Sequence, residues 1–279
     1  MNRFIAGGHS LELGKKTYIM GILNVTPDSF SDGGKYFTLK EAMRQAERMI
    51  DEGADIIDVG AVSTRPFSEY VSPEEEWERL KDILCEIRKN FTVPVSIDTF
   101  NPFTAERCLD SGADIINDVS GVFSSKMAEL IKRYNCGWVV MHGGVSVRKT
   151  EEETVFSDGI INYVNNFFED ILREITLLGI PKEHICLDAG FGFSKNNEQN
   201  NELLENYEKI NKYGLPLLCA LSRKRFIGEL TGDTDSEKRD EGTLAANIIA
   251  CSKGADIIRV HNVALHKKAS LVFDGICRI

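Results

Sequence analysis

One five-residue junction occurs three times in this chain: Gly53-Ala54-Asp55-Ile56-Ile57, Gly112-Ala113-Asp114-Ile115-Ile116 and Gly254-Ala255-Asp256-Ile257-Ile258. Each copy follows apolar residues at helical spacing and leads into β-branched residues, so the glycine reads as a helix stop and the isoleucines as strand. The copies stand 59 residues apart (Ala54 to Ala113) and 142 apart (Ala113 to Ala255), close to two and four units of an eightfold repeat in 279 residues. Repetition of this kind predicts alternating units that close into an α/β fold, a (βα)8 TIM barrel. The length slightly exceeds the roughly 250 residues typical of one such barrel, so residues 1–279 are expected to form a single domain.

The stretches between the junctions supply the other units. An apolar run from Tyr18 to Val25 reads as a strand covered on both faces, interrupted near its end by Asn24 and passing into a small, polar loop that ends in Gly33-Gly34. Further strands are expected at Asp55 to Ala61, Pro94 to Asp98, Trp138 to His142, Ile185 to Asp188 and Leu215 to Leu221, besides the repeats. Helical patterns run through Leu39 to Glu52, Glu74 to Asn90, Pro102 to Ser111, Ser125 to Asn135, Ile160 to Leu178, Glu198 to Tyr213, Glu241 to Lys253 and Ala264 to Asp274. That makes eight strands and eight helices. Phe4-Ile5 and Leu11-Glu12-Leu13, around Gly7-Gly8, read as a short N-terminal hairpin that plugs one end.

Charge and cysteine usage exclude several function classes. A net charge of −10 argues against nucleic acid as a partner, and an anionic small molecule would need a local basic site. Seven cysteines without a CxxC pair read as reduced thiols, not as disulfides or a zinc site. No stretch is apolar for long enough to span a bilayer and no leader is evident, so a cytoplasmic protein with no membrane partner is expected.

In such a barrel chemistry sits at the C-terminal strand ends. There the sequence places Asn24, Asp58, Asp98, Asn117-Asp118, His142, Asp188, Ser222-Arg223-Lys224, Arg259 and His261. Unpaired buried carboxylates are costly, so this many polar groups at one mouth point to a ligand, whereas a lone aspartate there would read as a cap or an ion-pair partner. Lys224, Arg259 and His261 favour an anionic group near the last two strands, where barrels often hold a phosphate. Arg225 reads as surface charge. Asp98, Asn117 and Asp188 offer acceptors and an amide, suited to a flat heterocycle with several N–H donors and a carbonyl.

With these motifs in view, the chain resembles the dihydropteroate synthases, the pterin-binding barrels of folate synthesis. The resemblance rests on GILNVTPDSFSDGG (Gly21 to Gly34), STRP (Ser63 to Pro66), SIDT (Ser96 to Thr99) and INDVSG (Ile116 to Gly121). It continues through MHGG (Met141 to Gly144), LDAGFGFSK (Leu187 to Lys195), SRKRFIG (Ser222 to Gly228) and RVHN (Arg259 to Asn262). The first is highly specific, and the order and spacing of the others add to it.

The resemblance implies condensation of a dihydropterin methyl diphosphate with 4-aminobenzoate, releasing pyrophosphate. It implies that Asn24 holds Mg²⁺ and the diphosphate, that Thr64 contacts the pterin diphosphate, and that Asp98, Asn117 and Asp188 grip the pterin edge. Lys224 would reach the pterin carbonyl and the aminobenzoate. Ser222 would help bind the aminobenzoate carboxylate, with Arg65 and Phe193 completing that pocket, and Arg259 and His261 would bind the leaving diphosphate. The catalytic set is then Asp98, Lys224, Arg259 and His261. The loops from Thr26 to Lys35 and from Val62 to Val71 would close over the site. A homodimer is implied by the family alone.

The chain departs from the family at four places. Val62 and Phe67 replace the acid and the glycine of GAESTRPG, Ala189 replaces the proline of LDPG, Asn262 replaces the aspartate of RVHD, and the loop after His142 is shortened. Phe67 would alter the aminobenzoate loop. Competing readings are a pterin-binding paralogue without turnover or with altered specificity, a pterin-dependent methyltransferase, and an aldolase-like barrel with Lys224 as Schiff-base lysine. Methyltransferases need neither the TPDSFSDGG loop nor Arg259 and His261, and Lys224 stands among cations suited to an anion. Elsewhere, Glu74-Glu75-Glu76 and Glu151-Glu152-Glu153 read as solvated acidic runs, Trp77 and Trp138 as packing, and His9, His184 and His266 as non-catalytic.

Overall fold

In the computed structural model, which describes residues 3–25, 34–62, 70–143, 156 and 158–278 with the side chains of 34–38 and 211 left out, each repeated glycine makes a left-handed turn. The φ angles are +99° at Gly53, +95° at Gly112 and +98° at Gly254, a region open mainly to glycine. The aspartate two residues later has a role of its own. Asp55, Asp114 and Asp256 accept from the backbone N–H of Ile19 (2.9 Å), Val95 (2.9 Å) and Leu217 (3.2 Å), each on the neighbouring strand. Each is also neutralised by a cation: Lys16 at 2.5 Å, Arg88 at 3.2 Å and Arg278 at 3.7 Å. The junction is therefore a helix stop and a strand-to-strand staple in five residues.

The strands are β1 (Arg3–Ala6), β2 (His9–Glu12), β3 (Tyr18–Asn24), β4 (Ile56–Gly60), β5 (Val95–Asp98), β6 (Ile115–Asp118), β7 (Gly137–Met141), β8 (Ile185–Asp188), β9 (Leu217–Cys219) and β10 (Ile257–Val260). β3 to β10 pair in parallel and close into a barrel in which β10 meets β3. The helices are α1 (Gly34–Asp51), α2 (Pro73–Asn90), α3 (Pro102–Asp110), α4 (Ser125–Tyr134), α5 (Ile160–Leu177), α6 (Asn197–Glu205), α7 (Arg225–Thr231), α8 (Asp240–Ser252) and α9 (Val263–Cys277). The barrel strands are buried on both faces, which is why sequences such as those of β3, β4 and β7 run apolar without alternation.

At the N-terminal end the barrel interior holds Tyr18, Met20, Ile56, Ile115, Val139, Cys186, Leu218 and Ile257. The β1–β2 hairpin lays Phe4, Ala6 and Leu11 onto that layer as the expected plug. Gly137 makes room for it, because a Cβ there would come within 2.7 Å of the Phe4 ring.

Three features differ from the sequence expectation. The described residues hold nine α-helices, because α7 is a seven-residue helix hidden in the basic run after Ser222 and interrupted by Gly228. That glycine is required, since a Cβ would lie 2.4 Å from the Asp233 carbonyl oxygen. The pattern from Glu198 to Tyr213 splits after α6, and Tyr207 to Tyr213 wind as a 3-10 helix. Tyr207 turns inward there, fully buried, and donates to the Leu218 carbonyl at 3.0 Å. Lastly, Glu76 is not solvated. It is buried and accepts from Thr104 Oγ1 at 2.6 Å.

Candidate active site

Strand register decides which polar residues meet. Asn24 on β3 pairs with Gly60 on β4, Gly60 with Asp98 on β5, and Asp98 with Asn117 on β6, so the four positions share one level at the C-terminal mouth. Side chains two residues apart point the same way, which brings Asp58 to the interior one step below Gly60. From β10, Arg259 reaches across to both carboxylates: Nε donates to Asp58 Oδ2 at 2.6 Å and Nη2 to Asp98 Oδ2 at 2.8 Å. Asn117 Nδ2 donates to the same Asp58 Oδ2 at 3.3 Å. Its Oδ1 is buried with no hydrogen-bond partner among the described residues. An unmet buried acceptor costs about 1–3 kcal/mol.

The opposite wall carries Asp188 and Lys224. Asp188 ends β8 and accepts from the Gly190 N–H at 2.8 Å. Lys224, just before α7, donates to the Phe191 carbonyl and holds its ammonium 4.1 Å from the centre of the Phe193 ring. Burial raises the pKa of Asp98 to about 7, with Arg259 opposing the rise and Asp58 adding to it. Burial raises that of Asp188 as well, against Lys224 and the Gly190 N–H. Burial brings Lys224 down to about 8, against the pull of Asp188. Perturbed groups of both signs share one mouth, as expected of a functional site.

Ser222 Oγ and His261 Nδ1 are 2.8 Å apart, and the His261 N–H donates to the same hydroxyl at 3.1 Å, so the ends of β9 and β10 are tied together. Their neighbour Arg223 is structural, forking onto Asp240 at 2.8 and 3.0 Å. Asn262 donates to Asp240 at 3.0 Å and caps α9 through Leu265 at 3.2 Å. Arg225 pairs with Glu229 at 3.3 Å on the surface, as read from the sequence. His142 points away from this set into Phe156, Tyr163 and Phe167, and burial among them lowers its pKa to about 2.

The described site residues Asp98, Asn117, Asp188, Phe193, Ser222, Lys224, Arg259 and His261 therefore line one end of the barrel, with Asn24 on its rim. Thr64, Arg65, Phe67, the loop residues 26–33 and Glu151 to Glu153 lie outside the described residues. Asp58 is the residue the sequence reading left without a role: it is fully buried and organises Arg259 and Asn117 together. Its signal was present, since Asp58 stands two residues before the end of β4, on the interior side.

A metal would find one oxygen at the rim, the exposed Asn24 amide on β3, and no cluster of three or more His, Cys, Asp or Glu among the described residues. That donor set fits Mg²⁺ bound mainly by water and phosphate oxygens, and not a caged structural ion.

The family profile described as "Pterin binding enzyme" matches residues 20–261. A dihydropteroate synthase of Clostridium beijerinckii is 42% identical over 274 residues, covering 98% of each chain. Among solved structures, the dihydropteroate synthase of Clostridium difficile in the presence of pteroic acid superposes with a TM-score of 0.90 at 39% identity, covering 96% of this chain and 99% of that one. The Xanthomonas albilineans enzyme with 4-aminobenzoic acid gives 0.92 at 34% identity, covering 100% and 99%.

Proposed function

The chain belongs to the pterin-binding enzyme family, among its dihydropteroate synthases, and on that premise we propose how its residues divide the work. The reaction joins the methylene of a dihydropterin methyl diphosphate to the amine of 4-aminobenzoate. A C–O bond breaks, a C–N bond forms, pyrophosphate leaves and the amine proton passes to solvent.

In this reading Asp98 and Asp188 accept N–H groups of the pterin edge from opposite walls, and the unpartnered Asn117 Oδ1 accepts another. That orphaned amide, beside Asp98 and across from the buried Asp188, is the observation that carries the assignment. Lys224 reaches the pterin carbonyl and the aminobenzoate, whose pocket is completed by Ser222, Phe193 and Arg65. Arg259 and His261, with Thr64, draw on the diphosphate. Arg259 is held by two carboxylates through Nε and Nη2, so its orientation is set before substrate arrives.

The electron-rich pterin lets the diphosphate depart ahead of attack, and the cation left on the ring faces the Asp98 carboxylate. An aromatic amine needs no strong base. Asn24 would hold Mg²⁺, which when bound supplies positive charge to the leaving group. A closed site would exclude water that competes with the amine.

Two wider assignments complete the reading. Ile249 on α8 and Leu271, Val272 and Ile276 on α9 are exposed, which supports a homodimer through these helices. All seven cysteines are free and among the described residues no helix is long and apolar enough to cross a membrane, which accords with a cytoplasmic enzyme. The test is pyrophosphate release by purified protein. Release is expected only with Mg²⁺, pterin diphosphate and 4-aminobenzoate together, and equal release without the amine would overturn the reading.

A further inference from the structure

Lys195 closes the loop between β8 and α6, and at 8% exposure it is almost wholly buried. Its ammonium donates to three backbone carbonyls: Gly190 at 2.8 Å, Phe193 at 3.1 Å and His142 at 3.3 Å. Two of these belong to its own loop and the third follows β7. Three acceptors match the three hydrogens of an ammonium group. Burial nevertheless lowers the Lys195 pKa to about 7, against the pull of Asp188 and with Lys224 adding to the fall. A cation kept there at such a cost needs a use.

The loop it ties has an unusual backbone. Gly190, Gly192 and Ser194 take φ of +68°, +75° and +49°, and Ser194 is not a glycine. Such a chain persists only where its surroundings fix it. Asn200 on α6 gives a second anchor: its Oδ1 accepts from the Gly192 N–H at 2.7 Å, and its Nδ2 donates to the Lys195 carbonyl at 3.1 Å. The clearances are minimal. A Cβ at Gly190 would lie 1.8 Å from the His142 carbonyl oxygen, and one at Gly192 would lie 2.7 Å from Lys224 Cδ.

What the loop holds in place is one side of the reaction chamber. The Gly190 N–H grips Asp188, the Phe191 carbonyl accepts from Lys224, and the Phe193 ring lies against the Lys224 ammonium. We infer that Lys195, with Asn200, is a positioning residue: it fixes the β8–α6 loop so that Lys224 and Phe193 are set for the second substrate before it binds. The inference rests on the synthase reading of the site.

The test measures thermal unfolding and steady-state constants per folded molecule for the wild type and K195M. Loss of the ammonium is expected to raise KM for 4-aminobenzoate by about ten-fold while kcat changes by less than about three-fold, because the loop must then be ordered by the substrate. A role in stability alone would lower the melting temperature and leave KM unchanged, and that result overturns the inference. Should K195M not fold, N200A carries the test, since it keeps the ammonium but releases the Gly192 N–H. There a rise in the same KM of about three-fold supports the inference and an unchanged value overturns it. Wild-type protein that failed to bind 4-aminobenzoate at all would instead remove the synthase reading, whatever the variants did.

Discussion

At the residue scale, Asp58 and Asp98 compete for one guanidinium. Asp58 is fully buried and takes the closer contact at 2.6 Å, while burial, opposed by Arg259 and reinforced by Asp58, raises the pKa of Asp98 to about 7. The folded pKa lies above the unfolded value of about 3.9, so between those pH values the folded state holds more protons and raising pH across the window lowers stability. Function runs the other way. In the role proposed for it Asp98 must be a carboxylate to accept an N–H, so kcat/KM for the pterin substrate should fall as pH drops through about 7. Lys224, at about 8, should supply a second fall on the alkaline side. Replacing Asp58 with Asn removes the repulsion and leaves Arg259 to Asp98, so the acid limb should move to lower pH. The same change should cost about 3 kcal/mol in a denaturant titration, since it breaks a buried ion pair. An acid limb that stays in place would show that Asp98 does not govern it.

At the scale of elements, the barrel separates stability from chemistry along its axis. The β1–β2 hairpin seals the N-terminal end, and the polar set occupies the C-terminal mouth with the barrel interior between them. Phe4 is fully buried in the plug, so Phe4→Ala should lower stability by about 3 kcal/mol, read as a drop in melting temperature. Both KM values and kcat per folded molecule should remain as in the wild type. A changed KM would mean that the two ends are coupled. The short elements were the ones least legible in the sequence. The junction repeat announced eight strands because glycine at a left-handed turn and β-branched residues after it are local signals. Helix α7 is hidden because seven residues containing Gly228 carry too little periodicity, and it is the close approach of the Asp233 carbonyl that demands that glycine.

At the scale of the whole molecule, the exposed residues of α8 and α9 bear on assembly. Leu271 and Ile276 are 63% and 70% exposed, so if the chain pairs through these helices as proposed, the wild type should sediment as a dimer and L271D with I276D as a folded monomer. A dimer that survives would place the interface elsewhere. The eightfold alternation, the plug and the identity of most mouth residues were legible in the chain, because helix stops, strand propensity and strand ends are written within a few residues of one another. Folding alone made Asp58 order Arg259 and Asn117, pointed His142 into an aromatic cluster and set Lys195 against three carbonyls. Those outcomes depend on register and on approach between strands far apart in the chain: Asp58 and Arg259 are separated by 201 residues, and no local pattern encodes a contact made only when the barrel closes.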